Sequence, residues 1–425
     1  MKVAIIGTGI AGNVAAYHLH KRHEITVYEA NSYVGGHTNT IDVQTERGSL
    51  PVDTGFIVFN DRTYPNFVRL LSEIGAESLQ SEMSFSVRAD KSRLEYNGSN
   101  LNGLFAQRRN LLRPAFIRMI RDILKFNREA PAFLDTGDHQ MSLNEYLRLG
   151  QYGAEFVRDY LVPMGAAIWS AEPETMQRMP ANFFIRFFQN HGLLSLNDRP
   201  TWRVIQGGSR EYVRKLIRGH EDKIRLNCAV ESISRLNKGV RIHTRGAEPE
   251  FFDAVFLACH SDQALRLLTD ATQAEREVLG AIAYQPNEAI LHTDKSLMPG
   301  RRHAWASWNY HLPDTQNERA TLTYHMNRLQ GLADKTQYFV TLNSSELIRP
   351  ETVIRKISYD HPVFTAKAVQ AQQRKAEIDG VNRTYFCGAY WRYGFHEDGV
   401  VSALSALESF QMRQDDAQQY LQRAS

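Results

Sequence analysis

The chain begins with an apolar segment, a glycine-rich turn and a helix-compatible segment, and this combination constrains its fold most. The segment reads VAIIGTGIAG, in which Gly7, Gly9 and Gly12 have the spacing G-x-G-x-x-G. A second apolar segment, EITVYEA, contains Glu29, about 20 residues after the first glycine. Strand, turn, helix and strand in this order predict the start of a doubly wound sheet that binds phosphate at a helix N-terminus.

Each residue of this motif has a predicted role in dinucleotide binding. Gly7 allows the tight turn, Gly9 allows the close approach of a pyrophosphate, and Gly12 allows the helix to pack on the strand. The first N–H groups of the helix, at Ile10 and Ala11, face the phosphates. Glu29 accepts hydrogen bonds from ribose hydroxyls, which favours NAD or FAD over a ribose with a 2′-phosphate. A strand-turn-helix unit without a ligand is the alternative.

A glycine pair after the second strand favours one of these two cofactors. The stretch EANSYVGGHTNT places Gly35 and Gly36 six residues beyond Glu29. FAD is the longer molecule, and a second backbone segment must pass close to its ribityl and pyrophosphate part. Paired glycines remove the side chains that would prevent this approach. The pair therefore indicates FAD.

With these motifs the N-terminal segment resembles that of the flavin-containing amine oxidase superfamily, which includes phytoene desaturases and protoporphyrinogen oxidases. Three later regions extend the resemblance: LPVDTGFIVFN, the region from WRVIQGGSREYVRKL to AVFLACHSDQALRLL, and YFCGAYWRYGFHEDGVVSALSALES. The chain departs from the family pattern after the glycine pair, where an arginine is usual and this sequence has His37.

The resemblance implies that the chain binds FAD through both ends and its middle. Gly55 would run beside the isoalloxazine ring, and Val230 would offer backbone hydrogen bonds to the adenine. A strand would end at Gly388 and a helix would begin near Gly399, so that the N–H groups of Gly399 and Val400 point at the N1–C2=O side of the flavin. The full predicted set is Gly7, Gly9, Ile10, Ala11, Gly12, Glu29, Ala30, Gly35, Gly36, His37, Thr38, Gly55, Val230, Gly388, Asp398, Gly399 and Val400.

Composition excludes several classes of protein. A net charge of +3 is too small to indicate nucleic-acid binding. Three cysteines without a C-x-x-C pair predict reduced thiols and no metal site. No run of about 18 apolar residues predicts a transmembrane helix. We expect a cytoplasmic enzyme, with its oligomeric state left open.

The positions of the cofactor motifs predict discontinuous domains. We expect an α/β fold (α+β overall) with a Rossmann-like FAD-binding domain formed by residues 1–85, 205–285 and 380–425. Residues 86–204, rich in helix signals, and 286–379, rich in strand signals, form an interleaved substrate-binding domain with a mixed sheet. In the second insert, ERATLTYHMNRLQ and TQYFVTLNSS are expected to pair as a hairpin. No second G-x-G-x-x-G follows a strand, so we expect no NAD(P)H domain and favour an oxidase, dehydrogenase or desaturase.

The first insert contains a basic amphipathic segment, LFAQRRNLLRPAFIRMIRDILKFNREAP. From Pro114 the pattern is helical, with Ile117, Ile120, Ile123 and Leu124 forming an apolar stripe and cations on the opposite side. Such a helix, around 114–128, can lie on an anionic membrane surface, at the inner face in a cytoplasmic protein. The alternative is a core-packed helix with a solvated basic face. The four phenylalanines of ANFFIRFFQNHGLL line an acyl cavity or belong to the core.

A further resemblance concerns the substrate. The stretches AAIWSAEP, HAWASWNY and YDHPVFT resemble a bacterial branch of predicted NAD/FAD-binding proteins associated with cyclopropane-fatty-acid-synthase-like lipid methyltransferases. This resemblance implies a fatty-acyl or other lipid substrate.

Two other functions stay open. Amine oxidases of the superfamily carry a lysine near the flavin N5, and an ungapped comparison puts Glu288 at that position, which counts against amine oxidation. The second alternative is a lipid- or prenyl-binding protein without redox activity, as in the GDP-dissociation inhibitors, which have a related architecture.

The sequence identifies no catalytic residue, because a flavin supplies the chemistry of hydride transfer. His361, His396 and Glu397 are candidate proton acceptors, against ordinary hydrogen-bonding roles for each. Asp398 is expected to cap the last helix or to place charge in its first turn. The predicted walls of the substrate cavity are Tyr310, Tyr324, His361, Trp391 and Phe395, with core packing as the alternative.

Overall fold

The computed structural model describes residues 1–169, 171, 173–195, 199–313 and 321–424, and side chains as far as residue 415. Its strands, in chain order, are β1 Lys2–Ile6, β2 Glu24–Tyr28, β3 Thr40–Thr45, β4 Gly48–Asp53, β5 Phe59–Asn60, β6 Ser78–Gln80, β7 Phe85–Ala89, β8 Leu94–Asn97, β9 Trp202–Ile205, β10 Ile224–Arg225, β11 Val230–Leu236, β12 Gly239–Thr244, β13 Glu250–Phe252, β14 Ala254–Leu257, β15 Ala283–His292, β16 Trp308–Leu312, β17 Leu322–His325, β18 Phe339–Leu342, β19 Val353–Val363 and β20 Thr384–Phe386.

Its α-helices are α1 Ile10–Leu19, α2 Pro65–Glu73, α3 Leu101–Leu104, α4 Pro114–Phe133, α5 Leu143–Leu149, α6 Ala154–Phe156, α7 Val162–Trp169, α8 Pro173–Arg178, α9 Ala181–Asn190, α10 Arg210–Leu216, α11 Ser261–Leu267, α12 Gln273–Leu279, α13 Met326–Leu329, α14 Ala366–Gln372 and α15 His396–Ala424. A π-helical turn over Val157–Leu161 joins α6 to α7.

A five-stranded parallel sheet with the order β10-β2-β1-β14-β20 carries the N-terminal motif. Strands β1 and β14 lie inside this sheet and are buried on both faces, which accounts for their continuous apolar sequences VAII and AVFL. Helices α1 and α15 contribute to the core on one face, and β11 to β13 with α11 and α12 contribute to the core on the other. The turns that follow β1, β14 and β20 therefore meet at one edge.

A seven-stranded mixed sheet with the order β19-β15-β18-β17-β16-β7-β8 forms the second half of the molecule. Strands β7 and β16 are parallel, and the other neighbours are antiparallel. The predicted hairpin is confirmed by the pairing of β17 with β18, although residues 318–320 of that segment lie outside the described residues. Helices α4 to α9 pack on one face of the sheet and build the largest core.

Helix α4 forms where the sequence predicts it, but its apolar stripe is not the predicted one. Its buried residues are Phe116, Met119, Phe126 and Ala130, whereas Ile120 and Ile123 are half-buried. Ile117 and Leu124 are exposed, and they share their side of the helix with exposed arginines. The aromatic and thioether side chains occupy the core, Ile120 and Ile123 pack at its margin, and Ile117 and Leu124 lie outside it.

The architecture confirms the predicted α/β class. The parallel strands come from residues 2–28, 224–225, 254–257 and 384–386, and the mixed-sheet strands come from residues 85–97 and 283–363. The domain boundaries themselves stay a prediction. Within the described part of the chain, no helix combines the length and the apolar content needed to cross a bilayer.

Candidate cofactor and substrate site

The turn after β1 has the geometry that the glycine motif predicts. Helix α1 begins at Ile10, as expected. Gly7 has φ +102°, and an added Cβ would lie 2.9 Å from the carbonyl oxygen of Ala258. A Cβ on Gly12 would lie 2.0 Å from the Gly7 carbonyl oxygen. Glycine at these two positions is therefore required by the turn and by close packing of α1.

Gly9 differs, because the protein itself gives no reason for glycine there. Its φ of −63° and ψ of 177° are open to any residue. A Cβ at Gly9 would have no heavy atom within 4 Å. The space lies in front of the first N–H groups of α1, where a helix favours an anion. A pyrophosphate that approaches the backbone at this point fits the vacant volume.

Two further backbone segments converge on the same point. A Cβ on Gly36 would lie 3.1 Å from the Gly9 Cα, and one on Gly399 would lie 2.5 Å from Ile10 Cγ2 and 3.8 Å from the Ala11 nitrogen. Gly35, just before, has φ +138°. The predicted glycine pair and the start of α15 thus both reach the N-terminus of α1.

Glu29 is buried next to this turn, with 6% of its surface exposed. Its Oε2 accepts from the Thr8 backbone N–H at 2.9 Å and from Thr8 Oγ1 at 2.5 Å. Its Oε1 accepts from the Asn31 backbone N–H at 2.9 Å and from Asn31 Nδ2 at 3.0 Å. A carboxylate accepts about four hydrogen bonds, so a ribose hydroxyl would replace one of the side-chain donors.

The predicted adenine side lies close to Glu29. The Cys228 N–H donates to the Glu29 carbonyl at 2.8 Å, and Val230 begins β11 two residues later. Ala30, between Glu29 and Asn31, is exposed. The open cradle at Gly9, the helix N-terminus and the buried carboxylate together match the diphosphate, ribose and adenine of FAD.

His37, which stands where the family usually has arginine, belongs to a group of rings. It stacks on Tyr359 with a centroid distance of 4.9 Å and lies 5.4 Å from His361 and 6.1 Å from His260. Burial, and then the neighbouring His361 and His260, lower the pKa of His37 well below its ordinary value. Burial lowers the pKa of His361 to about 4. These imidazoles are therefore neutral at pH 7 in the protein alone.

The segment around Gly55 lies against the segment after the glycine pair. The Phe56 N–H donates to the His37 carbonyl at 2.8 Å, and a Cβ on Gly55 would lie 2.1 Å from the same oxygen. Thr38 is buried, and its Oγ1 lies 2.7 Å from Tyr212 OH and 3.0 Å from His396 Nε2. Thr38 thus connects the segment after the glycine pair to α10 and to the start of α15 by buried side-chain hydrogen bonds.

His396 and Glu397 have structural partners. The His396 ring stacks on Phe56 at 3.5 Å, and its Nε2 lies 2.9 Å from Tyr212 OH, while burial lowers its pKa to about 3. Glu397 Oε1 accepts from the Asn66 backbone N–H at 3.1 Å, and its Oε2 accepts from the Phe67 N–H at 2.9 Å. Glu397 therefore caps the N-terminus of α2, and its role as a proton acceptor stays a prediction.

The prediction for the start of the last helix is wrong in position. Strand β20 ends at Phe386, and the Gly388 N–H donates to Ser402 Oγ at 2.7 Å. Helix α15 begins at His396, so the Gly399 N–H is already bonded to the Phe395 carbonyl at 3.1 Å. Val400 lies beyond the first four helical N–H groups. Neither N–H is free to face a flavin, and Gly399 instead allows α15 to approach α1.

Asp398 helps to set this earlier start. Its Oδ2 accepts from the Phe395 N–H at 2.9 Å and from the Tyr393 N–H at 3.2 Å. Burial raises its pKa to about 6. Asp398 therefore has a capping role: its carboxylate holds the residues before α15 against the first turn of that helix.

Phe395 lies at a cavity of about 510 Å³. The cavity is bounded by the N-terminus of α2, the end of α9 and the residues before α15. Its lining residues are Arg62, Thr63, Tyr64, Pro65, Asn66, Gln189, Asn190, His191, Arg392, Tyr393, Phe395, Glu397 and Asp398. Phe187, one of the predicted acyl-cavity phenylalanines, stacks on Phe395 at 5.1 Å.

The other residues that the sequence predicts around the substrate cavity do not lie around one cavity. Tyr310 lines a second, more apolar cavity of about 340 Å³. Tyr324 packs edge-on against Trp308 at 5.2 Å on the mixed sheet. Trp391 is 6% exposed and packs in the core behind the parallel sheet, so the prediction that it lines the substrate cavity is wrong.

Strand β15 turns Asn287 toward the histidine group. Asn287 Nδ2 donates to His361 Nδ1 at 2.8 Å, and Ala289 and Leu291, on the same side of the strand, belong to the large core. Glu288 points to the opposite side and lies 3.7 Å from Lys356 Nζ. The sequence contains a signal for this orientation. Residues two apart share one face of a strand, so the apolar Ala289 and Leu291 place Asn287 on the core side and Glu288 on the other.

Comparisons with known proteins agree with this geometry. The family model described as flavin containing amine oxidoreductase matches residues 10–303. A search of curated proteins finds no match.

Solved structures match over nearly the whole chain. A CLA-producing fatty acid isomerase from P. acnes has a TM-score of 0.70 at 16% identity, covering 96% of this chain and 98% of that one. Wild-type putrescine oxidase bound to putrescine has a TM-score of 0.67 at 15% identity, covering 97% and 99%. Cyclohexylamine oxidase from Brevibacterium oxydans IH-35A has a TM-score of 0.66 at 16% identity, covering 96% and 99%. At these identities the similarity shows a shared fold.

Proposed function

Because the chain belongs to the flavin containing amine oxidoreductase family, we propose that it is an FAD-dependent oxidoreductase whose substrate is apolar, a fatty-acyl or other lipid chain. Bound FAD would accept a hydride from that chain. The residues that would hold FAD are those around Gly9, Gly36 and Glu29. The chain's own part in the reaction is to bind and orient the substrate and to exclude water.

The observation that carries this proposal is the apolar cavity of about 340 Å³ between the mixed sheet and the helical layer. It is bounded by α6, the π-helical turn, α7, α8 and β16. Its lining residues are Ala154, Val157, Arg158, Val162, Pro163, Pro173, Gln177, Tyr310 and Leu312. Six of these nine side chains are hydrocarbon, and the cavity therefore suits an alkyl chain better than a charged group.

Aromatic side chains elsewhere on the large core are also only half-buried. Tyr324 is half-buried, and burial raises its pKa. A side chain that lines an interior cavity is expected to show both features. Tyr160, in the π-helical turn, behaves in the same way, with its pKa raised to about 12. Tyr393 and Phe395 are also only half-buried on the large core.

The polar groups of this interior favour a neutral substrate over an ammonium ion. Burial lowers the pKa values of His37 and His361, so both are uncharged at pH 7. The buried carboxylates of Asp53 and Asp398 already accept backbone N–H groups, from Ser209 and Phe395 respectively. A cation that enters a buried site without a carboxylate partner loses hydration that is not replaced.

Anaerobic mixing of the FAD-loaded protein with candidate substrates tests the proposal. Unsaturated fatty acids or phospholipids should bleach the visible absorption of the oxidised flavin, whereas putrescine and cyclohexylamine should leave it unchanged. Bleaching by amines and not by lipids would make the protein an amine oxidase. FAD binding without bleaching by either class would support a non-redox lipid-binding role.

A cavity variant connects this result to the structure. Val157→Trp places a large ring in the apolar cavity and should slow bleaching by lipids at least tenfold, with FAD content unchanged. Leu149→Trp, at an exposed position on α5, is the matched control and should bleach at the wild-type rate. Equal rates in the two variants would exclude this cavity as the site of the alkyl chain.

A further inference from the structure

The segment before α4 exposes leucines to an unusual extent. Leu112 is 88% exposed and Leu101 is 75% exposed, the two highest values for large apolar side chains among the described residues, and Leu111 is 53% exposed. These three residues, the leucine tip, lie within 12 consecutive positions. Clustered exposed apolar groups mark an interaction site more often than single ones do.

The leucine tip is held in place by the backbone around it. Asn100 Oδ1 accepts from the Gly103 N–H at 2.8 Å and caps α3. Asn110, directly before Leu111, is fully buried. Arg113 Nη2 donates to the Ser92 carbonyl at 2.9 Å, and Pro114 then starts α4. The leucines are therefore fixed in an outward position on an ordered segment.

Helix α4 continues this exposure along one side. Ile117, Arg121, Leu124 and Arg128 follow the spacing i, i+4, i+7 and i+11, and all four are exposed. They form the outer stripe of α4, which extends over roughly 17 Å. Apolar and cationic side chains alternate along this stripe, so both kinds of group are presented to the solvent on one side of the helix.

The charge around these residues is strongly positive. Residues 91–128 contain nine lysines and arginines and two carboxylates. Arg118 and Arg128 are paired with Glu155 and Glu129. Arg109 donates to the Arg93 carbonyl, a neutral group, at 2.6 Å. Arg301 and Arg302 are exposed on a turn that packs against α3, which adds two cations beside the leucine tip.

We propose that the leucine tip and the outer stripe of α4 form a docking surface for an anionic lipid bilayer. The leucines insert among the acyl chains near the surface, and the arginines contact headgroup phosphates. The cations are spread along the helix and do not converge on a pocket, which suits an extended anionic surface. A second copy of the chain would bring the same positive face and is disfavoured by charge.

Sedimentation of the FAD-loaded protein with vesicles tests this proposal. The protein should bind vesicles that contain phosphatidylglycerol, bind pure phosphatidylcholine vesicles at least tenfold more weakly, and lose affinity as salt is raised. Leu111→Ser combined with Leu112→Ser should reduce the binding at least tenfold. Arg109→Gln combined with Arg121→Gln should do the same and flatten the salt dependence.

Two control substitutions separate docking from general surface effects. Leu236→Ser and Arg245→Gln lie at the β11–β12 hairpin and beside Glu231, in another part of the fold, and should bind like the wild type. All variants should keep their FAD content and circular dichroism. Failure of the wild type to bind anionic vesicles, or equal binding by the leucine-tip variant, would overturn the proposal. A concentration-dependent dimer abolished by the leucine-tip substitutions, without vesicle binding, would assign the surface to a second copy.

Discussion

Gly9 and Gly12 belong to one motif, yet they are glycine for different reasons. A side chain on Gly12 would collide with the Gly7 carbonyl, whereas a side chain on Gly9 would enter open space. The first requirement comes from the fold, whereas we expect the second to come from the pyrophosphate of bound FAD. The motif can therefore be divided by experiment into a packing part and a binding part.

Gly9→Ala should lower FAD affinity at least tenfold, or about 1.4 kcal/mol, because the methyl group occupies the pyrophosphate space. Its φ and ψ suit alanine, so the free energy of unfolding without FAD should stay within about 1 kcal/mol of the wild type. Flavin titration and urea denaturation measure the two effects. Unchanged FAD affinity would show that the turn does not hold the pyrophosphate.

Gly12→Ala is the matched variant and should behave in the opposite way. Its methyl group would overlap the Gly7 carbonyl, and such overpacking costs about 1–3 kcal/mol of stability. Urea denaturation of the FAD-free protein should therefore detect it directly. A Gly12→Ala protein as stable as the wild type would contradict the packing role of this glycine.

At the scale of elements, a carboxylate carried by α15 caps the N-terminus of α2. The residue before α2, Tyr64, makes no side-chain cap, and Glu397 from the first turn of α15 supplies the missing acceptor. The negative charge also lies at the positive end of the α2 dipole. The docking of α2 on α15 therefore depends on a residue that is remote in sequence.

Glu397→Gln should lower the free energy of unfolding by about 1–3 kcal/mol, because one acceptor and the charge are lost. FAD content should not change, and flavin reduction should keep its rate within about twofold. Glu408→Gln, at an exposed position of the same helix, should stay within about 0.5 kcal/mol. Unchanged stability with a rate lowered about 100-fold would instead make Glu397 the proton acceptor.

The sequence predicts the elements whose ends are marked by an apolar pattern or a glycine turn, and misplaces those whose ends depend on side-chain hydrogen bonds. Strand β1 and helix α1 follow from VAII and the glycine turn. The start of α15 at His396 depends on Asp398, whose bonds to Tyr393 and Phe395 cannot be read from spacing. An ungapped comparison puts Glu288 at the family's lysine position near the flavin, whereas in the structure Asn287 contacts His361 and Glu288 lies on the opposite side of β15, near Lys356.

Across the whole molecule, Asp53 joins three parts of the fold. It is fully buried at the end of β4, and its Oδ1 accepts from the Ser209 N–H at 2.9 Å, just before α10. Its Oδ2 accepts from Gln330 Nε2 at 3.1 Å, directly after α13. Burial raises its pKa to about 6 in spite of these bonds. The carboxylate thus connects the parallel-sheet and mixed-sheet regions.

Asp53→Asn should reduce the free energy of unfolding by about 2–4 kcal/mol, because an amide nitrogen would face donors that now have acceptors. Asp42→Asn is the control: Asp42 pairs with Arg210 at a partly exposed position, and its loss should cost about 0–1 kcal/mol. Urea denaturation measures both variants. Equal effects would contradict a special role for Asp53 in joining the two regions.

Buried histidines should make the whole protein less stable in acid. Burial lowers the pKa of His396 to about 3 and the pKa values of His191, His220, His292 and His361 to about 4. The unfolded chain then binds more protons than the folded one between pH 6.5 and pH 4, so stability falls as the pH drops through this window.

Asp53 and Asp398 act in the opposite direction, because burial raises their pKa values to about 6 and the folded state holds their protons more tightly. Five histidines outweigh two carboxylates, and the urea midpoint in saturating FAD should be lower at pH 4.5 than at pH 7. A midpoint that rises toward acid would show that the two carboxylates dominate.

The strand order of the parallel sheet also has a consequence for synthesis. Strands β1 and β2 leave the ribosome first, but their sheet lacks β14 until residue 257 and β20 until residue 386. At roughly 5–20 residues per second, the open edge of β1 waits about 10–50 s for β14, its partner strand. During translation the nascent chain therefore exposes an apolar strand edge for most of its time on the ribosome, and this makes it a natural client for a chaperone that shields such edges.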